Sequence, residues 1–183
     1  LPNGRLWHHD TIEGRVGEEA FTFDLLEVVE TSSDSHKSLF VGCLFSCRAP
    51  DGLESIVMRP PRSKITRAII EPFGGNRPLP VRYEGETPSR FGSMALFHQE
   101  GVDIGPTLDQ LNQIANLLPS FIGLTVRHGR LTIASEMSRD YFRLKLSDAS
   151  TKTVLYRIQS LAGRFKTPIS MLNAIHSQHR TPH

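Results

Sequence analysis

A short hairpin pattern in the second half of the chain is the clearest local signal of its architecture. It reads Ile122-Gly123-Leu124-Thr125-Val126-Arg127-His128-Gly129-Arg130-Leu131-Thr132-Ile133. A two-residue turn at His128-Gly129 fixes the register of two flanking strands, because glycine accepts the left-handed backbone that such turns require. The pairs that this register aligns are Val126 with Leu131 and Leu124 with Ile133 on one face, and Thr125 with Thr132 on the other.

Upstream of the hairpin, about the first eighty residues also have the alternation of β-strands. Short strands are predicted at residues 12–16, 21–25, 39–47 and 56–58, with a turn at Gly17-Glu18 and a loop over 31–36. At Leu25-Leu26 the apolar alternation changes phase, which predicts a β-bulge in that strand. Between residues 59 and 80 proline and glycine indicate loops around a short apolar piece, and 81–83 begins another strand.

Helical spacing marks the rest of the second half. A capping box at Thr107 and Gln110 predicts a helix that ends at Pro119. A second apolar stripe, expected to pack on the sheet, predicts a C-terminal helix, and Thr167-Pro168 predicts a kink in it or the start of another helix. The stripe consists of Val154, Leu155, Ile158, Leu161, Ala162 and Phe165, and Ile169, Leu172 and Ile175 extend it.

These elements predict an α+β fold in which a curled antiparallel sheet is completed by a helix–hairpin–helix C-terminal half. A pleckstrin-homology-like roll is an alternative by analogy of fold alone. The 183 residues suit a single domain, in which we expect residues 1–9 and 177–183 to be flexible ends.

Composition narrows the class of protein. The chain is 38% hydrophobic and 22% charged, which suits a folded soluble domain, and it contains no apolar run of the roughly 18 residues that a membrane helix needs. A net charge of +2 disfavours nucleic acid as a partner. The chain begins at Leu1 without an initiator methionine, from which we expect it to be part of a longer protein.

The only two cysteines, Cys43 and Cys47, lie in the predicted strand 39–47. Residues four apart on an extended strand are separated by about 13 Å, too far for a disulfide, which needs Cα atoms within about 7 Å. We therefore expect two small apolar core residues with free thiols, which favour a reducing compartment.

No strong catalytic or metal-binding motif occurs, so the sequence predicts no catalytic residue, metal ligand or cofactor. His8-His9-Asp10 is a conceivable cluster, but neighbouring residues of a strand point to opposite faces. His98 lies close in sequence to Asp103, and these two are the candidates for a hydrolase-type site.

A basic run supplies the candidate ligand-binding residues, which are Arg59, Arg62, Lys64 and Arg67. Charge is also uneven, since residues 101–183 hold 10 basic against 5 acidic residues. A solvated surface is the simplest explanation of such a run. An anionic membrane surface or an acidic protein partner is the functional one.

The order of features resembles an uncharacterised bacterial family, known as domain of unknown function 3137. The residues that carry the resemblance are Ile12-Glu13-Gly14-Arg15-Val16-Gly17, Phe21-Thr22-Phe23, Leu39-Phe40-Val41-Gly42-Cys43-Leu44-Phe45, Val81-Arg82-Tyr83, the helix 108–118 and the strand ending Gly129-Arg130-Leu131-Thr132-Ile133. It spans roughly residues 10–176. It implies apolar membrane segments upstream of a soluble part, and no activity is established for the family, so it assigns no catalytic residue.

The leading hypothesis is a non-enzymatic module of a bacterial inner-membrane protein that faces the cytoplasm and binds a protein or anionic lipid. One rival is a hydrolase-type enzyme whose site forms around His98 and Asp103. Another is a structural or oligomerising domain. The oligomeric state is left open.

Overall fold

The hairpin predicted at residues 122–133 is present with the predicted register. His128 and Gly129 both have positive φ angles, 51° and 70°, which match the twist of a two-residue hairpin turn. The aligned pairs are Val126 with Leu131, Leu124 with Ile133 and Thr125 with Thr132. This local prediction is confirmed.

The computed structural model describes residues 4–31, 36–53, 55–60, 81–87, 91, 94–115, 121–141 and 151–176. Among them lie eight strands and two helices. The strands are β1 Gly4–Val16, β2 Glu19–Thr31, β3 His36–Arg48, β4 Ile56–Arg59, β5 Val81–Arg82, β6 Ala95–His98, β7 Phe121–Arg127 and β8 Arg130–Glu136. The helices are α1 Gly105–Ala115 and α2 Thr151–His176. The apolar piece between residues 59 and 80 lies outside the described residues.

All eight strands join one open antiparallel sheet, so the fold is broadly α+β with a large share of strand. The strand order is β1-β2-β3-β8-β7-β4-β6-β5. Strand β4 follows β3 in the chain but pairs with β7 and β6, so the C-terminal hairpin sits between β3 and β4. The pleckstrin-homology-like roll stays a prediction.

One face of this sheet, the helix face, carries the main core. Phe23 and Phe45 are fully buried there, and Leu111 of α1 and Leu172 of α2 pack into the same cluster. Alternation explains the composition, because every second residue of β2, β3 and β8 points toward the helices. Cys43 and Cys47 belong to this core with free, buried thiols, as predicted.

The predicted bulge at Leu25-Leu26 is wrong in its location. β2 runs through this point without a break against β3, and the extra residue is His9 of β1, on the opposite strand. Leu25 and Leu26 are both buried because β2 is covered on both faces. A second small cluster, on the face opposite the helices, takes Leu26 together with Val28, Phe40, Leu44 and Ala134.

Helix α1 begins earlier than the sequence predicts. Its first residue is Gly105, so Thr107 is buried within the helix and the predicted capping box is wrong. The Asp103 carboxylate accepts a hydrogen bond from the Gly105 amide at 3.0 Å and satisfies the helix start in its place.

Helix α2 is one continuous helix of 26 residues with Pro168 inside it, so the alternative of two separate helices is wrong. Only its C-terminal part is buried, through Pro168, Met171, Leu172 and Ile175. The expectation that the earlier stripe packs on the sheet is also wrong, because Leu155, Ile158, Ala162 and Phe165 are exposed. Periodicity identified the apolar face but not what that face contacts.

The flexibility expected at the two ends stays a prediction. Residues 1–3 and 177–183 lie outside the described part of the chain, and residues 4–9 lie in β1, paired with the end of β2. No helix within the described ranges is long and apolar enough to span a membrane.

A pair of glycine substitutions tests this packing. A Cβ added at Gly42 would collide with the Phe40 ring and the Ser135 carbonyl oxygen, so Gly42→Ala should lower the free energy of unfolding by about 1–3 kcal/mol. Gly163 of α2 has open space around it, so Gly163→Ala should raise stability by about 1 kcal/mol. Denaturant titration of both variants measures this difference, and equal effects would contradict the description of β3.

A second test uses the thiols. Burial raises the pKa of both Cys43 and Cys47 from the ordinary value of 9.0 to about 12. We expect neither to react with a thiol reagent at about pH 8 unless the protein is unfolded.

The same shift sets a pH dependence. Since the folded-state pKa values lie above the unfolded value of 9.0, the thiols' contribution to stability is complete below that pH and is lost as the pH rises toward 12. Unfolding measured at about pH 8 and about pH 10 should show a smaller loss in Cys43→Ala than in the unmodified chain. In the thiol-reagent experiment, rapid reaction of Cys43 or Cys47 in the folded protein would contradict their assignment to the core.

Candidate functional site

The predicted basic run is only partly within the described residues. The Arg59 guanidinium lies 4.9 Å from the centre of the Phe97 ring, on the neighbouring strand β6. This cation–π contact fixes Arg59 on the face opposite the helices. Arg62, Lys64 and Arg67 lie outside the described residues, so the structure does not test the run as a binding surface.

The candidate hydrolase pair is not brought together. His98 Nδ1 lies 2.8 Å from the carbonyl oxygen of its neighbour Gln99, and its ring meets Tyr83 edge to face. Asp103 is engaged at the start of α1. Both side chains therefore have local structural partners, and the geometry offers no nucleophile–base pair at this position.

In the His8-His9-Asp10 cluster, regular strand alternation is interrupted because His9 is the extra residue of the β1 bulge. His9 Nε2 lies 3.3 Å from Glu27 Oε2, and the same carboxylate pairs with Arg139. The Glu27 side chain is only 4% exposed, so its charge is compensated by the Arg139 guanidinium and its contact with the His9 ring rather than by water. The trio ties the bulge of β1 to the segment that follows β8. No group of metal-ligating side chains is found within the described ranges.

Removing one member of this trio should be costly. Arg139→Met leaves a buried carboxylate with only His9 as partner, which should lower the free energy of unfolding by about 1–3 kcal/mol. Adding Glu27→Gln should recover part of that loss, because the uncompensated charge is gone. The matched control is Arg48→Met, which breaks an exposed pair with Asp51 and should cost less than about 1 kcal/mol. A strictly additive double-mutant cycle would contradict the coupling.

Helix α2 carries the most prominent exposed apolar surface of the described residues. Leu155, Ile158, Phe165 and Ile169 are 57%, 46%, 42% and 40% exposed, and Ala162 lies between them. These five positions, spaced three or four residues apart, form one stripe along the helix, which we call the α2 stripe. An apolar stripe of this length in water indicates a binding surface.

The charges of α2 have a single sign. Residues 151–176 contain four basic residues and no aspartate or glutamate. Lys152 and Lys166 are exposed beside the α2 stripe, as is Tyr156. A helix that is apolar on one side and basic on its border has the character of elements that bind at anionic interfaces.

The middle of the helix is held by contacts with the segment that follows β8. Arg164 donates hydrogen bonds to the carbonyl oxygens of Asp140 and Tyr141, and its guanidinium stacks on the Tyr141 ring. The Tyr141 hydroxyl lies 3.1 Å from Thr167 Oγ1. Together with the buried C-terminal part, these contacts present the α2 stripe to solvent on a fixed support.

A second feature is a groove of about 1140 Å³ at the end of the sheet where the β1–β2 and β7–β8 turns lie. Arg48 of β3, Arg130 of β8 and Ser46 line this groove. Its lining also includes three carboxylates, Glu13, Glu18 and Glu19. The groove is open to solvent and mixed in charge.

Sequence reasoning missed both surfaces for different reasons. The α2 stripe was recognised but assigned to the core, since exposure depends on where the helix docks. Arg48 and Arg130 stand far apart in sequence and become neighbours only through the β3–β8 pairing. The absence of acidic residues from 151–176 was the one available signal for a binding helix.

Comparisons with models of protein families, with curated proteins and with solved structures find no match to this chain. The resemblance to domain of unknown function 3137 therefore stays a prediction.

Proposed function

We propose that this chain is a non-enzymatic module that binds an anionic lipid surface through the α2 stripe and the lysines beside it. In this proposal it is a member of domain of unknown function 3137, tethered to a bacterial inner membrane by another segment and facing the cytoplasm. Residues 105–176 would act as the helix–hairpin–helix half that presents the lipid-binding helix. The observation that carries the proposal is an exposed apolar stripe on a helix without acidic residues.

The apolar and charged parts of this surface favour a bilayer for complementary reasons. Exposed leucine, isoleucine and phenylalanine side chains gain free energy on leaving water, about 1.5–3 kcal/mol for each one fully buried. A lysine near an anionic membrane adds about 1 kcal/mol. A bilayer also demands no complementary shape, which suits a single helix.

Two other occupants of the stripe are less favoured. A second copy of α2 would place lysines beside lysines, with no acidic residue on either helix to offset the repulsion. A protein partner would find few apolar side chains, each only partly exposed. Standard protein interfaces bury roughly 800 Å² on each partner, which is large beside this stripe.

The enzymatic rival has weaker support, because His98 and Asp103 are each engaged in local hydrogen bonds. The oligomerising rival predicts self-association through the same stripe, so the experiment below must separate it from lipid binding.

Vesicle co-sedimentation tests the proposal. The chain should sediment with phosphatidylglycerol vesicles and not with phosphatidylcholine vesicles. Charge reversal at Lys152 and Lys166 should weaken binding by at least about thirtyfold, since two favourable charges are lost and two repulsive charges are added. Ile158→Ser with Phe165→Ser should weaken it by at least about tenfold.

The matched control is Lys37→Glu, which changes an exposed lysine on β3 and should leave binding almost unchanged. A variant with Arg62, Lys64 and Arg67 changed to glutamate tests the basic run as the alternative binding surface. If that reversal abolishes binding while the α2 variants bind normally, docking through α2 is excluded. Self-association that depends on Phe165, without vesicle binding, would favour the oligomerising domain.

A further inference from the structure

Three arginines occupy one row across three adjacent strands. Arg48 of β3 is the direct partner of Arg130 in β8, and Arg130 is the direct partner of Arg127 in β7. Direct partners in an antiparallel sheet have Cβ atoms about 5 Å apart on the same face. Like charges in that position repel, so an anion bound at this row would stabilise the sheet there.

The side chain of Arg130 shows where the positive charge lies. Its Nη2 donates a hydrogen bond to Thr22 Oγ1 at 3.2 Å. Thr22 belongs to β2, two strands from β8, so this guanidinium extends about 10 Å across β3. It passes above Ser46, which bonds the neighbouring Thr132 hydroxyl at 3.1 Å. The Arg130 side chain therefore runs close to the C-terminal end of β3, where Arg48 lies.

Both guanidiniums keep donors for a ligand. A guanidinium carries five N–H groups in a planar fork. Within the described residues, Arg130 uses one on Thr22 and Arg48 uses one on Asp51, in a pair with both side chains largely exposed. Such an exposed pair is weak and can be displaced by a stronger anion.

The third arginine adds to the positive field without being exposed. Arg127 is half-buried, and desolvation by burial lowers its pKa. Arg127 is not among the residues that line the groove, so an anion there would meet the guanidiniums of Arg48 and Arg130.

The carboxylates that line the groove limit the size and shape of the anion that it can bind. Glu13 and Glu18 line the groove, and Arg15 donates to the Glu18 carbonyl oxygen rather than pointing a free charge at the ligand. An extended polyanion or a flat anionic bilayer would meet these carboxylates. Glu13 is the direct partner of Thr22, to which Arg130 bonds, so a compact oxyanion is farthest from Glu13 on the Arg48 side of the Arg130 guanidinium.

We propose that the groove between the β1–β2 and β7–β8 turns binds a compact phosphate-type oxyanion, held by the guanidiniums of Arg48 and Arg130 above Ser46. The phosphate group is free or is carried by a small soluble molecule. This site lies on the face of the sheet opposite the helices, so it is separate from the α2 stripe and does not depend on lipid binding by α2.

Titration with inorganic phosphate and with pyrophosphate, followed by NMR of the backbone amides at constant ionic strength, tests the site. Shifts should concentrate at residues 46–48 and 128–130. Arg48→Met and Arg130→Met should each weaken binding by about tenfold. Glu13→Gln with Glu18→Gln should tighten binding, because two carboxylates that repel the anion become neutral. Arg5→Met, at an exposed arginine of β1, is the matched control and should bind as the unmodified chain does.

The outcomes separate the possible ligands. No shifts with either anion, or an equal loss in Arg5→Met, overturns the site. If Arg48→Met and Arg130→Met instead abolish sedimentation with phosphatidylglycerol vesicles and leave phosphate binding unchanged, the row contacts lipid headgroups and the proposal is wrong. Normal vesicle binding by both variants, with phosphate binding lost, supports it.

Discussion

The pairing of β3 with β8 holds the two parts of the sheet together. It joins the meander of β1, β2 and β3 to the hairpin of β7 and β8, and through that hairpin to β4, β6 and β5. Its register aligns Phe45 with Ile133 in the core. The same register aligns Ser46 with Thr132 and Arg48 with Arg130 on the other face. A slip of one residue would exchange these faces, so both core and groove depend on this single ladder.

The sequence predicted what is local and missed what depends on distant neighbours. The turn at His128-Gly129 and its three pairs follow from alternation and glycine, so they were predictable. The phase change at Leu25-Leu26 predicts a bulge in β2. The phase change instead reflects burial of β2 on both faces, and the extra residue of the bulge is His9 of β1. The start of α1 shifted because Asp103 satisfies the helix amides that Thr107 was expected to cap.

The candidate surfaces follow the same division. The stripe of α2 could be drawn from spacing alone, yet its exposure depends on Pro168, Met171 and Leu172 holding the other end of the helix against the core. The arginine row has no sequence signature, since its members come from β3, β7 and β8. The two surfaces differ in character: α2 combines apolar and basic side chains, while the groove combines arginines with carboxylates. That contrast is why we assign them different ligands.

The position of β4 has a consequence for how the chain reaches this state. The β7–β8 hairpin closes between neighbours in sequence, but the ladders on both of its sides join segments far apart along the chain. Closing long loops costs entropy before the contacts form, so rate-limiting assembly should wait for β8 to meet β3. Until then, the hairpin would exist with both outer edges unpaired. We therefore expect slow folding, and we expect partly folded chains to aggregate through these unpaired edges at high protein concentration.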